Sequence, residues 1–110
     1  MENPDEIKFQ LIVTIVNRGQ CGVVIDSSRE AGAEGGTIIT GRGSGIHEKA
    51  KLFSFTIEPE KDIVLTLVPI DRTEKVLEAI VNASNLNDPG NGIAFVIDVE
   101  DVTGINHLIE

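Results

Sequence analysis

Apolar residues in this chain are concentrated in five extended runs. The first, residues 7–16, begins with apolar/polar alternation and becomes almost continuously apolar, which is typical of a strand buried on both faces in mid-sheet. The others lie at 36–42, 51–57, 62–69 and 93–99. The run at 51–57 alternates, so its pattern places Phe53, Phe55 and Ile57 on one face of a single strand.

Two helices are predicted between these runs. The first covers 21–31, where apolar residues recur on one helical face and Gly32 provides a stop. The second can be capped by Asp71 or Thr73. Its apolar stripe consists of Val76, Leu77, Ile80 and Val81.

The order of these elements is β-α-β-loop-β-α-β. It predicts an α+β fold, a ferredoxin-like βαββαβ sandwich with an antiparallel four-stranded sheet and two helices on one face. We expect a single domain over 1–110, with flexible ends at 1–6 and 104–110. Two helices cannot cover both sheet faces, so the strand carrying Phe53 and Phe55 also predicts self-association.

Composition narrows the range of partners. The formal charge of −9 and the pI near 4.6 argue against nucleic acid and against an anionic membrane surface. The single cysteine, Cys21, cannot form an internal disulfide, and no signal peptide or long apolar run is evident. These features predict a cytoplasmic protein.

A glycine-rich stretch at 35–45 combines a β-branched strand with three alternating glycines, Gly41, Gly43 and Gly45. Glycine lets another group approach the main chain closely. The stretch therefore indicates either a simple hairpin connection or a loop at a ligand or interface site. Arg42, between two of the glycines, is either a phosphate contact or a solvated charge at the strand end.

Several segments resemble the PII nitrogen regulatory proteins, in matching order from about residue 8 to 105. Gly36-Thr37 leading to 41–45 looks like the strand in which a Gly-x-Gly pair opens the family's T-loop. Residues 62–68 followed by 73–80 are similar to its third strand and second helix. Residues 90–96 with Val99-Glu100-Asp101-Val102 resemble its B-loop, fourth strand and the segment that follows.

The resemblance implies a homotrimer that signals rather than catalyses. A small-molecule effector, an adenine nucleotide, would bind between subunits. The loop at 43–51 would then regulate a membrane transporter or a metabolic enzyme, and such a partner would bring the protein to a membrane indirectly. The implied nucleotide-binding residues are Thr37, Gly43, Gly45, Gly90, Asn91 and Gly92, with Arg42 as a possible phosphate contact.

Some positions depart from the family pattern. Ile93 replaces the usual lysine after the B-loop glycines, and Thr103, Gly104 and Asn106 stand where basic residues are expected. Fewer cations mean fewer charge-assisted hydrogen bonds to phosphate. AMP, ADP or another adenine nucleotide is therefore favoured over ATP. His47 replaces the glutamine associated with 2-oxoglutarate, and the absence of tyrosine excludes tyrosine nucleotidylation.

Two other functions stay open at this point. One is a divalent-metal-binding trimer of the same fold, with His47 and Glu48 as candidate ligands or partner contacts, although the lack of tight His/Cys/Asp spacing favours a solvated loop histidine at His47. The other is an interaction module that has lost its ligand. No nucleophile–base–acid set or Walker ending is evident, so we do not expect an enzyme.

Overall fold

The protein folds as a four-stranded antiparallel sheet with two helices packed on one face, which confirms the predicted ferredoxin-like architecture. The computed structural model describes residues 7–44, 50–52 and 55–105. Of the ends predicted to be flexible, 1–6 and 104–110, residues 1–6 and 106–110 lie outside the described residues. In chain order the elements are β1 (Phe9–Asn17), α1 (Cys21–Glu30), β2 (Thr37–Arg42), β3 (Ala50–Leu52), β4 (Phe55–Ile57), β5 (Glu60–Pro69), α2 (Thr73–Ala83) and β6 (Gly92–Val99).

The strands of the main sheet are arranged in the order β2-β5-β1-β6. The nearly continuous apolar strand β1 lies inside the sheet, as its pattern predicts, and pairs with both β5 and β6. Strands β2 and β6 form the two edges. This order separates the two glycine-rich segments of the chain, because one belongs to each edge strand.

The hydrophobic core lies between the sheet and the helices. Even-numbered positions of β1 and β5 face the helices, because side chains alternate along a strand. The fully buried core side chains are Ile12, Val16, Val24, Val64, Val68, Val76 and Ile80. Val76 and Ile80 belong to the apolar stripe predicted for α2, and Leu77 packs against the same cluster. Neither helix among the described residues is long and apolar enough to cross a membrane.

The opposite face of the sheet carries odd-numbered residues and, within the described chain, no helix covers it. Ile39 of β2 is 45% exposed, and β6 contributes Ile93, Phe95 and Ile97 at 58%, 41% and 46%. We call these four residues, with Leu11, Ile15, Ile63, Leu65 and Leu67 between them, the open face. It is an apolar surface spread across all four strands.

The predicted single strand at 51–57 is wrong. Two short strands, β3 and β4, pair with each other in a separate two-stranded sheet, with Leu52 opposite Phe55. The strand that carries Phe55 is therefore not part of the main sheet, and Phe53 lies outside the described residues. The excursion between β2 and β5 covers 43–59 rather than the predicted 43–51. An alternating pattern does not distinguish one strand from the two arms of a hairpin.

The helix ends are only partly as expected. Gly32 follows the end of α1 with φ of +114°, as a glycine stop requires. The predicted caps of α2 are wrong, because Arg72 occupies the N-cap position and its side chain makes no capping hydrogen bond. Thr73 is instead the first helical residue, and its hydroxyl donates to the Pro69 carbonyl at 3.5 Å.

Candidate functional site

The described candidate binding residues, apart from Thr37, lie at one end of the main sheet. β1 and β2 end there at Asn17 and Arg42, while β5 and β6 begin there at Glu60 and Gly92. The antiparallel pairing brings these strand ends to the same side of the molecule. We call this side the loop end of the sheet.

The excursion 43–59 leaves the sheet through a hydrogen-bonded neck. Arg42 lies opposite Glu60 in the β2–β5 ladder, and the Gly43 N–H donates to the Pro59 carbonyl at 3.2 Å. These four residues define the neck. No atom lies within 4 Å of where a Cβ on Gly43 would stand, so the main chain is accessible there. Arg42 is exposed, as expected for a strand-end cation.

A second accessible segment is the turn formed by Gly90, Asn91 and Gly92. Gly90 has φ of +86° with open space around the position of a Cβ, so it presents bare backbone. Gly92 has φ of +136°, and a Cβ there would collide with the carbonyl oxygen of Ile15. Gly92 is therefore required by the close approach of β6 to β1, whatever else it contacts.

The side chain of Asn91 shapes this turn from within. Its amide donates to the Asn85 carbonyl at 2.9 Å, and its backbone N–H donates to the Asp88 carbonyl at 3.4 Å. Asn85 has φ of +52°, a left-handed conformation that asparagine tolerates better than most residues. Asn91 thus stabilises the turn conformation.

A side-chain relay joins the turn to the start of β5. The Lys61 Nζ donates to Asn17 Oδ1 at 2.7 Å, and Asn17 Nδ2 donates to the Gly90 carbonyl at 3.1 Å. Lys61 is only 7% exposed, although it carries a charge. The relay therefore links the turn, the end of β1 and the strand that leaves the neck.

The next residue, Asp62, fixes the start of α1. One of its carboxylate oxygens accepts hydrogen bonds from the Gly19 and Cys21 N–H groups at 2.8 and 3.2 Å. Burial raises the pKa of Asp62, but hydrogen bonds from Gly19 and Cys21 outweigh it and leave the pKa below its ordinary value. The hydrogen bond to Asp62, with burial and the carboxylate charge, raises the pKa of the Cys21 thiol.

The other predicted site residues are dispersed over the sheet. Thr37 is exposed at the start of β2, opposite Leu65 and away from the loop end. The neck and the Gly90–Gly92 turn share the loop end but belong to opposite edge strands. Three strand spacings separate those edges, a distance of about 14 Å. A single subunit therefore does not bring the two glycine-rich segments together.

Three predicted residues, Gly45, His47 and Glu48, lie outside the described residues. In the part of the chain that the structure describes, no group of three or more histidine, cysteine, aspartate or glutamate side chains could hold a metal ion. The metal alternative therefore gains no support from the described residues.

Sequence reasoning did not identify Asn17, Lys61 or Asp62 as part of this region. Their partners lie 41–73 residues away in the chain, so no local pattern reports the contacts. The available signal was Lys61-Asp62 at the head of an otherwise apolar run. The pairing of β5 with β1 at Asn17–Lys61 and Val16–Asp62 places these two charged residues among buried neighbours.

The chain is similar to known proteins over almost all of its length. A family model described as Nitrogen regulatory protein P-II matches residues 9–107. Among solved structures, PII of Arabidopsis thaliana bound to citrate matches with a TM-score of 0.70 and 23% sequence identity. That match covers 96% of this chain and 91% of the other, and at this identity it supports the fold. The extent of the family match shows that the chain belongs to the nitrogen regulatory protein P-II family.

Proposed function

We propose that this protein is a trimeric regulator that binds a small ligand, an adenine nucleotide, in clefts between its subunits. Members of its family are regulatory proteins rather than enzymes. The observation that carries the proposal is the location of the neck and the Gly90–Gly92 turn on opposite edges of one sheet. Two parts of one site at opposite edges can meet only when the edges come from different copies.

The open face supplies the reason for assembly. Its residues on β2 and β6 are 41–58% exposed in the single chain, and a contiguous apolar surface of this kind marks an interface. Copies packed on it in a ring would use a head-to-tail contact, which closes when the rotation is right. Such a ring can bring the β6 edge of one subunit to the β2 edge of the next.

The chemistry of the loop end favours a ligand of modest negative charge. Its described cations are Arg18, Arg42 and Lys61, in a chain whose formal charge is −9. The open space beside the main chain at Gly43 and Gly90 lets a phosphate approach the backbone without a cationic side chain. AMP or ADP fits this better than ATP. The nucleotide-binding residues in this proposal are Thr37, Gly43, Gly45, Gly90, Asn91 and Gly92.

The ligand signal would reach a partner protein through the excursion 43–59. The described part of this segment contains a small sheet, β3–β4, that is separate from the main sheet, so it can change without disturbing the core. The protein itself is proposed to be cytoplasmic, and its proposed partner is a membrane transporter or a metabolic enzyme.

Isothermal titration calorimetry with the full chain tests the ligand. The probes are AMP, ADP, ATP, a divalent metal, and citrate, because the Arabidopsis protein was solved with citrate. We expect ADP or AMP to bind, with ATP weaker. Gly90→Ala should weaken binding about tenfold, since it places a side chain on the exposed backbone.

Gly32→Ala is the matched control for that variant. Gly32 also has a left-handed φ, of +114°, but it lies at the end of α1, away from the loop end. The Gly32→Ala protein should bind nucleotide as tightly as the unmodified protein does. Heat of binding with metal or citrate but with no nucleotide would contradict the proposed nucleotide site. An equal loss of nucleotide binding in Gly90→Ala and Gly32→Ala would contradict it too.

A further inference from the structure

We propose that Asn17 is a positioning residue that couples the Gly90–Gly92 turn to the neck of the same subunit through Lys61. The coupling itself rests on hydrogen bonds within one chain. Its consequence for signalling rests on the proposed function, because it requires a ligand at the turn.

The amide of Asn17 can satisfy its two partners in only one orientation. Its oxygen accepts from the Lys61 ammonium at 2.7 Å, and its NH₂ group donates to the Gly90 carbonyl at 3.1 Å. A flipped amide would direct NH₂ at an ammonium that can only donate, and oxygen at a carbonyl that can only accept. Lys61 therefore fixes the orientation of the Asn17 amide, and this orientation directs the NH₂ group of Asn17 at the Gly90 carbonyl.

Burial makes this contact costly to break. Lys61 is 7% exposed, and a buried ammonium that loses a hydrogen-bond acceptor pays a desolvation penalty. Its bond to Asn17 is also charge-assisted, which makes it stronger than a bond between neutral groups. A movement of Gly90 is consequently transmitted to Lys61 instead of being absorbed by water.

Lys61 in turn adjoins the neck directly. It follows Glu60, which lies opposite Arg42, and the Pro59 carbonyl holds the Gly43 N–H. A ligand that favours one position of the turn will therefore favour one arrangement of the neck, by as much as its affinities for the two arrangements differ. Each subunit then carries an internal connection from the turn to its own loop.

Another contact at the same end provides a comparison. Arg18 and Glu60 form an ion pair of 2.6 Å, but their side chains are 73% and 36% exposed. Solvent-exposed ion pairs contribute little to stability, and salt screens them. This pair touches the neck without touching the turn, so it lies outside the relay.

Hydrogen exchange on the ligand-free protein tests the relay. The Asn91 N–H, bonded to Asp88, reports on the turn, and the Gly43 N–H, bonded to Pro59, reports on the neck. Lys61→Met should speed exchange at Asn91, and Asn17→Leu at both amides, each by about tenfold. Lys61→Met should add nothing at Asn91 in an Asn17→Leu background if the Asn17 amide is the route by which Lys61 reaches the turn.

Glu60→Gln is the matched control, since it removes the exposed ion pair beside Lys61 and should leave Asn91 unchanged. The amides of β1 must remain protected, which shows that each variant is folded. Lys61→Gln, a neutral donor, replaces Lys61→Met if that variant does not fold. Unchanged exchange at Asn91, or additive effects of Asn17→Leu and Lys61→Met, would overturn the relay.

Ligand binding separates this inference from the proposed function. With ADP bound, the change in exchange at Gly43 should be smaller in Asn17→Leu than in the unmodified protein, because only the direct contact of Gly43 with the ligand remains. A Gly43 response of equal size in the two proteins would overturn the signalling role of the relay. Absence of nucleotide binding would count against the proposed function alone, because the ligand-free exchange decides whether the relay exists.

Discussion

Gly90 and Gly92 are two residues apart, but the structure constrains them differently. Gly90 has open space around it, whereas a side chain on Gly92 would meet the Ile15 backbone. Gly92→Ala should lower the free energy of unfolding by about 2–3 kcal/mol, through backbone strain and collision. Gly90→Ala should cost about 1 kcal/mol, the strain of a left-handed alanine alone. Urea unfolding followed by circular dichroism measures both.

This difference determines how binding data on the turn should be interpreted. Lost binding in Gly92→Ala would reflect a displaced β6 as readily as a lost contact, whereas Gly90→Ala tests the ligand approach itself. Equal destabilisation by the two variants would show that β6 does not approach β1 as closely as described.

Asp62 makes stability depend on pH. Its folded pKa lies below its ordinary value of 3.8, so the ionised form is favoured in the folded state. The contribution of the Asp62 carboxylate to the free energy of unfolding is fully present above about pH 4 and is lost as pH falls through the folded pKa. Asp62→Asn should therefore be less stable than the unmodified protein at pH 7, and the difference should shrink below pH 4.

Thermal unfolding of both proteins from pH 7 to pH 3 measures this difference. Asp98→Asn is a suitable control, because Asp98 is an exposed carboxylate on β6 that accepts from the Gln10 side chain. A gap between Asp62→Asn and the unmodified protein that stays constant across this range would show that the Asp62 carboxylate is not what holds α1.

At the scale of single residues, sequence predicted positions with local signatures and missed those with distant partners. Gly90 and Gly92 were predicted as an accessible turn, and glycine at such positions has a local backbone reason. Asn17 and Lys61 have no such signature, since their contacts depend on the pairing of β1 with β5 and on the approach of the turn.

At the scale of elements, periodicity located the four main strands and both helices. The stripe at Val76 and Ile80 is buried as predicted, because helical spacing leaves little ambiguity over 11 residues. The run at 51–57 was misassigned because both arms of the β3–β4 hairpin alternate, and residues 53–54 contain no glycine, asparagine or proline to indicate a turn.

The excursion 43–59 should be dispensable for folding. Arg42 and Glu60 are directly opposite, so an Asn-Gly turn can join them as a two-residue hairpin. We expect a chain with 43–59 replaced by Asn-Gly to unfold within about 5 °C of the intact protein, because the core lies on the helix side of the sheet.

Differential scanning calorimetry checks this expectation, and pull-down with the intact chain as bait provides the functional comparison. The shortened chain should lose partner binding. A shortened chain that fails to fold would show that the excursion contributes to the core.

At the scale of the whole molecule, the element order predicted the fold, and the self-association that it also predicted stays a prediction. The described apolar surface comes from β1, β5 and β6 with Ile39, whereas the strand that carries Phe55 belongs to a separate sheet. A sequence pattern identifies a strand with two apolar faces but does not show which face a helix leaves open.

Ile97→Glu should disrupt the proposed trimer. The side chain lies on the open face at 46% exposure, so a single chain can hydrate the carboxylate but a packed interface cannot. Sedimentation should shift from three chains to one chain of 11.8 kDa.

Val23→Glu is the control for that variant, because Val23 is 38% exposed on α1, on the other side of the molecule. The Val23→Glu protein should sediment as three chains, as the unmodified protein is expected to do. An Ile97→Glu protein that sediments like the unmodified one would exclude the open face as the interface.

The separation of β2 and β6 by two inner strands has a genetic consequence. In the proposed ring, each cleft takes its turn from one subunit and its loop from the next. A Gly90→Ala chain and a chain lacking 43–59 would each form only defective clefts. Every mixed ring would pair the intact turn of one chain with the intact loop of the other in one of its three clefts, which is about a quarter of all clefts when equal amounts of the two chains assemble at random. Two alleles of this gene that are each defective should therefore restore part of the ligand binding when they are expressed together.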